Sequence, residues 1–133
     1  MPVLAQIRVT YGDTDAMGQV YYGNYLRWFE IGRAEWFRAS GMTYREVEQG
    51  GLYLPVVEAH CSYKKPALYD DLLTIATTFT FSGPARLRFD YQIRREETNL
   101  ATGYTVHACM SSLRKVVKPP DYLKALLEAR QGE

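Results

Sequence analysis

The sequence contains little cysteine and no long apolar run, and each shortage excludes a class of protein. Its two cysteines, Cys61 and Cys109, are too few for a disulfide framework and do not have the spacing of a metal site. We interpret them as reduced core thiols and expect a cytoplasmic protein. No apolar run approaches the roughly 20 residues that a membrane-spanning helix requires. The N-terminus lacks the charged and apolar segments of a signal peptide, so we expect none.

An excess of one charge is also missing. The 16 basic and 15 acidic residues nearly cancel, so the composition predicts neither nucleic acid nor a membrane surface as a partner. Apolar side chains are abundant: they make up 47% of the 133 residues and include 11 tyrosines. This composition is typical of a packed protein, and the length suits a single domain over residues 1–133.

The spacing of apolar residues predicts a strand followed by a long helix. The first apolar residues alternate with polar ones, as in a half-buried strand: Ala5, Ile7, Val9 and Tyr11. From Tyr22 to Ser40 the apolar arc is too wide for a surface helix, so we expect an enclosed helix that ends at Gly41. Gly32 lies in its middle, where glycine costs roughly 1 kcal/mol relative to alanine. Close packing of the helix on a sheet would explain that glycine.

The second half of the chain is dominated by strand-like alternation. Residues 43–50 suit a short helical turn, and four alternating segments follow, with turn sequences at 82–85 and 96–99 that predict antiparallel hairpins. A last helix begins near Asp121, its expected N-cap. The order predicts an α+β fold in which an antiparallel sheet of about five strands wraps around the long central helix. We expect a second subunit to cover part of the sheet or to pair with an edge strand.

Two carboxylates, Asp13 and Asp15, lie two positions apart in the loop before the long helix. Such residues often cap turns, and we interpret Asp13 as a structural residue that hydrogen-bonds loop amides. Neither His60 nor His107 lies at ligand spacing to the pair, so we predict no metal site. Both histidines are interpreted as sheet residues, although Cys109 with His107 stays open as a nucleophile pair.

The stretch YGDTDAMGQVYYGNYLRWFEIGRAEW, residues 11–36, resembles the signature of the 4-hydroxybenzoyl-CoA thioesterase family and its YbgC-like acyl-CoA thioesterase branch. That signature is an aromatic residue, D-x-D, small residues and glycine, an aromatic pair, then N-Y and a helix. A second stretch, SYKKPALYDDLLTI at residues 62–75, resembles the family's Tyr…Pro-Ala…Asp segment. The resemblance implies the hotdog fold and an acyl-CoA thioesterase.

By this resemblance Asp15 is the working carboxylate, and the N–H of Tyr22 polarises the thioester oxygen. A carboxylate can take a proton from water, which accelerates a reaction roughly 10²–10⁴-fold. Alternatively it can attack the thioester and form a mixed anhydride, and the two roles stay open. Unpaired N–H groups at a helix N-terminus carry partial positive charge, which suits a developing oxyanion.

The resemblance also implies a substrate-binding surface. Aromatic residues around the helix start would line an acyl pocket, with core packing as the alternative for each of them: Tyr21, Tyr22, Tyr25 and Trp28. Basic residues would hold the CoA phosphates: Arg86 after the first hairpin turn, and Arg114 and Lys115 late in the last strand. No cofactor is implied, because CoA is part of the substrate. A homo-oligomer of dimers or tetramers is implied, with the active site at the dimer interface.

Three alternatives stay open. The first is an acyl-CoA-binding protein without turnover. A hotdog hydratase or dehydratase is the second alternative, but it usually depends on a histidine near the helix, and no histidine occurs before residue 60. In the third, Glu30 on the helix replaces the loop aspartate, as in another thioesterase branch. We expect a small or medium acyl group, and neither matching stretch identifies which one.

Overall fold

A computed structural model describes residues 1–131 of the chain. The order of elements is strand, long helix, short helix, strands and a last helix. The helices are α1 (Asn24–Ala39), α2 (Tyr44–Gln49) and α3 (Asp121–Gln131). The strands are β1 (Val3–Arg8), β2 (Leu52–Tyr53), β3 (Val56–Tyr63), β4 (Leu72–Phe81), β5 (Arg86–Arg95), β6 (Thr98–Ala108) and β7 (Met110–Ser111).

Five strands form one antiparallel sheet in the order β1-β4-β5-β6-β3. Short turns join β4 to β5 and β5 to β6, which confirms the two predicted hairpins. The strand β1 pairs with β4 at one edge, and β3 pairs with β6 at the other. The short strands β2 and β7 form a separate two-stranded sheet.

The helix α1 packs against one face of the five-stranded sheet through large aromatic side chains that are at most 1% exposed: Trp28, Phe29, Trp36 and Phe37. Gly32 explains how closely the helix approaches. A Cβ atom on Gly32 would lie 2.4 Å from Oγ1 of Thr77 and 3.0 Å from Cγ2 of Ile75. No side chain fits there without displacing the sheet, so the predicted close contact of helix and sheet is confirmed.

The inward residues of β4 and β5 are those that the alternation predicts: Ile75, Thr77, Phe79, Leu87, Phe89, Tyr91 and Ile93 are all at most 3% exposed. Together with α1 they form a single core. A five-stranded antiparallel sheet with α1 packed on one face confirms the predicted hotdog fold. Within one chain the helix is less enclosed than predicted, since Leu26 and Glu30 on its outer side are exposed. None of the helices within residues 1–131 combines the length and apolar character needed to cross a membrane.

Some sequence-based boundaries are wrong. The first strand ends at Arg8, and Tyr11 begins a 3-10 turn in which it is 79% exposed, so it does not continue the buried face. The central helix starts at Asn24 and not at Tyr22. Asp121 is the first residue of α3 and not its N-cap, which is the residue before the helix. Its carboxylate lies in the first turn, where negative charge is stabilised by the positive end of the helix dipole.

The last long strand is also shorter than predicted. It ends at Ala108, and the chain then enters β7 and a turn, in which Arg114 adopts a φ of +61°. Arg114 and Lys115 therefore lie in this turn and not in a strand. The edge strand β3 is more exposed than its alternation predicts, and Val57 is 47% exposed.

Candidate active site

The loop between β1 and α1 folds back on itself as a tight hairpin. Thr14 pairs with Val20, and the N–H of Asp15 donates to the carbonyl of Gln19 over 2.8 Å. At the tip, the N–H of Gly18 donates to the carbonyl of Asp15 over 3.0 Å, and Gly18 has a φ of +79°. Only glycine adopts this conformation without strain. After the hairpin, residues 21–23 lead to the start of the helix at Asn24.

Asp13 anchors this hairpin. Its carboxylate accepts hydrogen bonds from the N–H and hydroxyl of Thr10, at 2.9 and 3.0 Å, and from Nη2 of Arg27 at 2.8 Å. Its main-chain carbonyl accepts from the N–H of Tyr21 and from Nδ2 of Asn24, both at 2.9 Å. The structural role predicted for Asp13 is thereby confirmed, and Asn24 ties the first helical turn to the same loop.

Asp15 has a different environment. One carboxylate oxygen accepts from the N–H of Met17 over 2.8 Å, and the side chain is half-buried. Within residues 1–131, no basic side chain forms an ion pair with Asp15. The second carboxylate oxygen has no hydrogen-bond partner among residues 1–131 and can accept a hydrogen bond from water or a ligand.

The start of α1 offers unpaired donors. The carbonyls of Tyr21, Tyr22 and Gly23 accept from the N–H groups of Asn24, Tyr25 and Leu26 in tight turns. The N–H groups of Tyr22 and Gly23 themselves have no acceptor within the described residues 1–131. Unpaired amides at this end of a helix attract negative charge, which is the property predicted for the Tyr22 N–H.

A cleft of about 220 Å³ lies beside the helix start and is lined by Gln19, Val20, Tyr22, Tyr25, Tyr63, Lys64, Lys65 and Pro66. The hydroxyl of Tyr63 donates to the Tyr22 carbonyl over 2.9 Å, and its ring meets the rings of Tyr22 and Tyr25 edge-on. Burial of the hydroxyl and the neighbouring Cys61 raise the pKa of Tyr63. Tyr63 therefore stays protonated and donates at neutral pH.

The predicted aromatic residues divide between the cleft and the core. Tyr25 lines the cleft, and its hydroxyl accepts from the N–H of Ala67 over 3.2 Å. Tyr21 and Tyr22 are 48% and 62% exposed at the surface around it. Trp28 is 1% exposed and belongs to the core, so it does not line the cleft and the alternative of core packing applies to it.

The predicted basic residues lie elsewhere on the chain. Arg86 is exposed at the start of β5, and Arg114 lines a separate cavity of about 440 Å³ that includes Tyr53. The described residues that line the cleft at the helix start do not include Arg86, Arg114 or Lys115. One chain by itself therefore does not bring them to the same cleft as Tyr22.

Sequence reasoning missed the end of β3 as part of the site. Tyr63, Lys64 and Lys65 come to the helix start because the chain turns there after the strand. Their only signal was their position directly before Pro66-Ala67 in the second matching segment. The sequence did not indicate this contact, because Tyr63 and Tyr22, which share a hydrogen bond, are 41 residues apart in the chain.

The alternative catalytic groups are occupied or distant. Cys109 is fully buried, and burial raises the pKa of its thiol to about 11, so it is not a thiolate at neutral pH. Both ring nitrogens of His107 are hydrogen-bonded, to the Leu54 carbonyl at 2.9 Å and to the Thr105 hydroxyl at 2.8 Å. The Cys109–His107 nucleophile pair is thereby excluded, and the interpretation of His107 as a sheet residue is confirmed. Glu30 is exposed on α1.

Several known proteins are similar to this chain over most of its length. Residues 9–127 match the model of a family described as the thioesterase-like superfamily. The acyl-CoA thioesterase YbgC of Haemophilus influenzae is 32% identical over 121 residues, which cover 90% of this chain and 89% of the relative. The 1,4-dihydroxy-2-naphthoyl-CoA hydrolase of Synechococcus elongatus is 31% identical over 123 residues, 90% of each chain.

A solved structure shows the same arrangement of elements. The crystal structure of Slr0204, a 1,4-dihydroxy-2-naphthoyl-CoA thioesterase from Synechocystis, matches with a TM-score of 0.86 at 25% identity and covers 96% of each chain. The family model spans most of the chain, and relatives above 30% identity cover 90% of it. The chain therefore belongs to the thioesterase-like superfamily.

Proposed function

We propose that this protein hydrolyses the thioester of a small or medium acyl-CoA to a free acid and CoA, with Asp15 as the reacting carboxylate. The relatives are named for acyl-CoA thioester hydrolysis, and this chain is likewise an acyl-CoA thioesterase. One observation carries the assignment of the site. The hairpin at residues 14–20 leads from Asp15, whose carboxylate forms no ion pair within residues 1–131, to a helix start with unpaired N–H groups at Tyr22 and Gly23. Asp15 is not among the described residues that line the cleft itself.

The proposed reaction uses these groups in two ways. The thioester oxygen accepts from the Tyr22 N–H, which stabilises the negative charge that develops on this oxygen. The Asp15 carboxylate either takes a proton from the attacking water or attacks the carbonyl carbon itself. In the second route a mixed anhydride forms, CoA leaves as a thiolate, and water then cleaves the anhydride. A thiolate is a good leaving group, so the scheme requires no side-chain acid.

The acyl group is proposed to lie in the cleft beside the helix start. Tyr22 and Tyr25 line this cleft, and Tyr21 lies next to it on the surface. Aromatic rings present flat apolar faces that suit an acyl chain or another ring. Two of the relatives reported above are named for a naphthoyl-CoA substrate, so aromatic acyl-CoAs belong among the substrates to be tested.

The CoA phosphates are proposed to contact Arg86, Arg114 and Lys115 from a second subunit. These residues do not line the cleft of their own chain, and an active site shared across a dimer interface would reconcile their separation with a common ligand. Lys64 and Lys65 add positive charge at the rim of the cleft. Basic side chains of this kind bind phosphate oxygens through charge-assisted hydrogen bonds.

The proposed assembly is a homodimer formed through β3, with a tetramer as a further step. The strand β3 is an edge of the sheet and exposes apolar side chains, with Val56 and Val57 at 48% and 47% exposure. An unpaired apolar edge readily accepts a second strand, and a two-fold axis pairs the same strand of two copies. We also propose a cytoplasmic location, since Cys61 and Cys109 are both free thiols.

The test of the function is thiol release from a panel of short, medium, long and aromatic acyl-CoAs. Asp15→Asn keeps an oxygen for the Met17 N–H but removes the base and nucleophile. We expect kcat to fall by roughly 10²–10⁴-fold. Asp90→Asn is a matched control, because Asp90 is also half-buried but pairs with Arg88 on the other face of the sheet. We expect this control to retain activity.

The outcomes separate the alternatives. Turnover by the wild type that is unchanged in Asp15→Asn would contradict the assignment of Asp15. Binding of acyl-CoA without any thiol release would instead favour a binding protein without turnover. Circular dichroism of both variants establishes that a loss of activity is not a loss of fold.

A further inference from the structure

We propose that Tyr63 is a positioning residue of the thioesterase site, where it holds the Tyr22–Gly23 peptide so that the Gly23 N–H becomes a second donor to the thioester oxygen. This inference rests on the proposed function, because it concerns the same reaction. Tyr63 lies at the end of β3, far in sequence from the loop and helix that carry the reacting groups.

The first step is the geometry of one peptide group. The Tyr63 hydroxyl donates to the carbonyl of Tyr22 over 2.9 Å. That carbonyl and the N–H of Gly23 belong to the same planar peptide and point in opposite directions. A hydrogen bond that fixes the carbonyl therefore also fixes the direction of the Gly23 N–H. The Gly23 N–H has no acceptor within residues 1–131.

The second step is a comparison of the two unpaired amides. The Tyr22 N–H belongs to the Tyr21–Tyr22 peptide, whose carbonyl is held by the N–H of Asn24 over 3.0 Å. The Gly23 N–H belongs to the next peptide, whose carbonyl accepts from the Tyr25 N–H over 3.2 Å and from Tyr63. Of these three donors to the two carbonyls, only the Tyr63 hydroxyl comes from outside the helix and its loop.

The third step concerns the strength of the donor. A hydrogen bond to a peptide carbonyl polarises the whole group, so that its N–H becomes a better donor to a negative oxygen. Preorganised donors of this type stabilise the oxyanion without a reorganisation cost. Tyr63 thus contributes both direction and polarity to the Gly23 N–H without itself contacting the reacting atoms.

The surroundings of Tyr63 argue against a purely structural role. Its side chain is 46% exposed and does not belong to the packed core. The ring nevertheless leans over the helix start and meets the rings of Tyr22 and Tyr25 at 6.2 and 5.0 Å between centroids. Loss of the hydroxyl leaves the Tyr22 carbonyl paired with the Tyr25 N–H, so we expect Tyr63→Phe to fold normally.

The test compares Tyr63→Phe with the wild type on the acyl-CoA that the wild type hydrolyses fastest. We expect kcat to fall about tenfold, less than the roughly 10²–10³-fold that follows loss of an oxyanion donor itself, while KM changes little. Tyr91→Phe is the control for stability. It removes a buried hydroxyl that bonds Thr105 over 2.7 Å, so it should lower the free energy of unfolding but retain kcat.

A spectroscopic measurement reports the donors directly. The probe is an analogue of the same acyl-CoA in which a methylene group replaces the thioester sulfur and the carbonyl carbon is isotopically labelled. Isotope-edited infrared spectra give the carbonyl stretch of the bound ketone. We expect this frequency to be higher in Tyr63→Phe than in the wild type, because the carbonyl is less polarised, and to be unchanged in Tyr91→Phe.

The results distinguish this inference from the function on which it rests. If the wild type turns over and Asp15→Asn does not, but Tyr63→Phe matches the wild type in kcat and carbonyl frequency, the role of Tyr63 is overturned and the thioesterase stands. If the wild type releases no thiol from any acyl-CoA, both proposals are overturned. A fall in kcat with an upward shift of the carbonyl frequency supports the role of Tyr63.

Discussion

Asp13 and Asp15 have the same side chain and lie in one loop, yet their surroundings give them different properties. The carboxylate of Asp13 is held by Thr10 and by Arg27, so both of its oxygens are occupied. The carboxylate of Asp15 accepts from one amide, that of Met17. The oxygens of Asp13 are engaged in fixing the loop, whereas the second oxygen of Asp15 has no hydrogen-bond partner within residues 1–131 and can contact a substrate. The hairpin that contains Asp15 depends on Gly18.

A substitution at Gly18 tests whether that hairpin matters for catalysis. A Cβ atom at this position would have no heavy atom within 4 Å, so the only penalty of Gly18→Ala comes from its φ of +79°. Such a conformation costs an alanine about 1–2 kcal/mol. We expect urea unfolding to show this loss, and kcat to fall as well, because relief of the strain moves Asp15 relative to the helix start.

Gly41 provides the matched control. It has a φ of +96°, and an added Cβ atom there also has no heavy atom within 4 Å, but it follows the opposite end of α1. Gly41→Ala should therefore lose similar stability and keep the wild-type kcat. Equal loss of kcat in both variants would mean that activity follows global stability and that the conformation of the hairpin has no special role.

At the scale of elements, a buried chain of hydrogen bonds joins the helix to the sheet. Burial lowers the pKa of His107 to about 4, so its ring is neutral at pH 7. Its Nδ1 faces the Leu54 carbonyl, which only accepts, so this nitrogen is the donor and Nε2 accepts from Thr105. Thr105 in turn accepts from the Tyr91 hydroxyl, which accepts from Arg33 of α1 over 3.3 Å. With these assignments, each hydrogen bond in the chain joins one donor to one acceptor.

This chain predicts a loss of stability in acid. The pKa of His107 is lowered from 6.5 to about 4 in the folded protein, mainly by burial and further by the charge of Arg33. Between these values the unfolded chain binds a proton that the folded chain does not. The free energy of unfolding therefore decreases as pH falls from 6.5 to 4, by at most about 3 kcal/mol from this group. Urea unfolding at a series of pH values measures the slope.

His107→Gln isolates the contribution of this group. The variant has no titrating ring, so its stability should be lower at pH 7 but should change less between pH 6.5 and pH 4. The comparison uses the difference in slope and not the absolute stability, which the substitution alters for other reasons. An identical slope in the two proteins would mean that other groups cause the acid sensitivity.

At the scale of the whole molecule, the sequence predicted the individual helices and strands better than the contacts between distant parts of the chain. Alternation at Ile75 and Phe89 and the apolar arc of the helix predict the sheet and the helix that packs on it, since burial imposes a period on each element. The matching segment at residues 11–36 pointed to Asp15 and Tyr22. Tyr63 was not predicted, because its position depends on which strand pairs with β6.

The exposure of the β3 edge was also not predicted, because it depends on contacts that are distant in the sequence. Sequence alternation in β3 predicts a half-buried strand, but burial depends on what covers it, and a single chain leaves Val56 and Val57 about half exposed. The register of β3 against β6 shifts between Val56 and Glu58, which makes a bulge at this end of the strand. An apolar edge of this kind is a liability in a free monomer, and a second copy of the same strand would remove it.

The last prediction tests this pairing through a charge. Val57→Lys places a cation on the proposed two-fold interface, where two copies of it would repel each other and lose apolar contact. We expect sedimentation velocity to show dimers or tetramers for the wild type and monomers for the variant. Because the proposed active site takes phosphate-binding residues from the second subunit, the monomer should also lose most of its thiol release, with a raised KM for acyl-CoA.

Leu4→Lys is the control for this experiment. Leu4 is 57% exposed on β1, the strand at the opposite edge of the same sheet. The substitution adds the same charge and removes a similar exposed apolar area, so nonspecific effects on folding and solubility should be alike. If Leu4→Lys dissociates the oligomer and Val57→Lys does not, subunits meet at the β1 edge. A Val57→Lys monomer with full activity would show instead that one chain is sufficient for the chemistry, and that Arg86, Arg114 and Lys115 have no role across an interface.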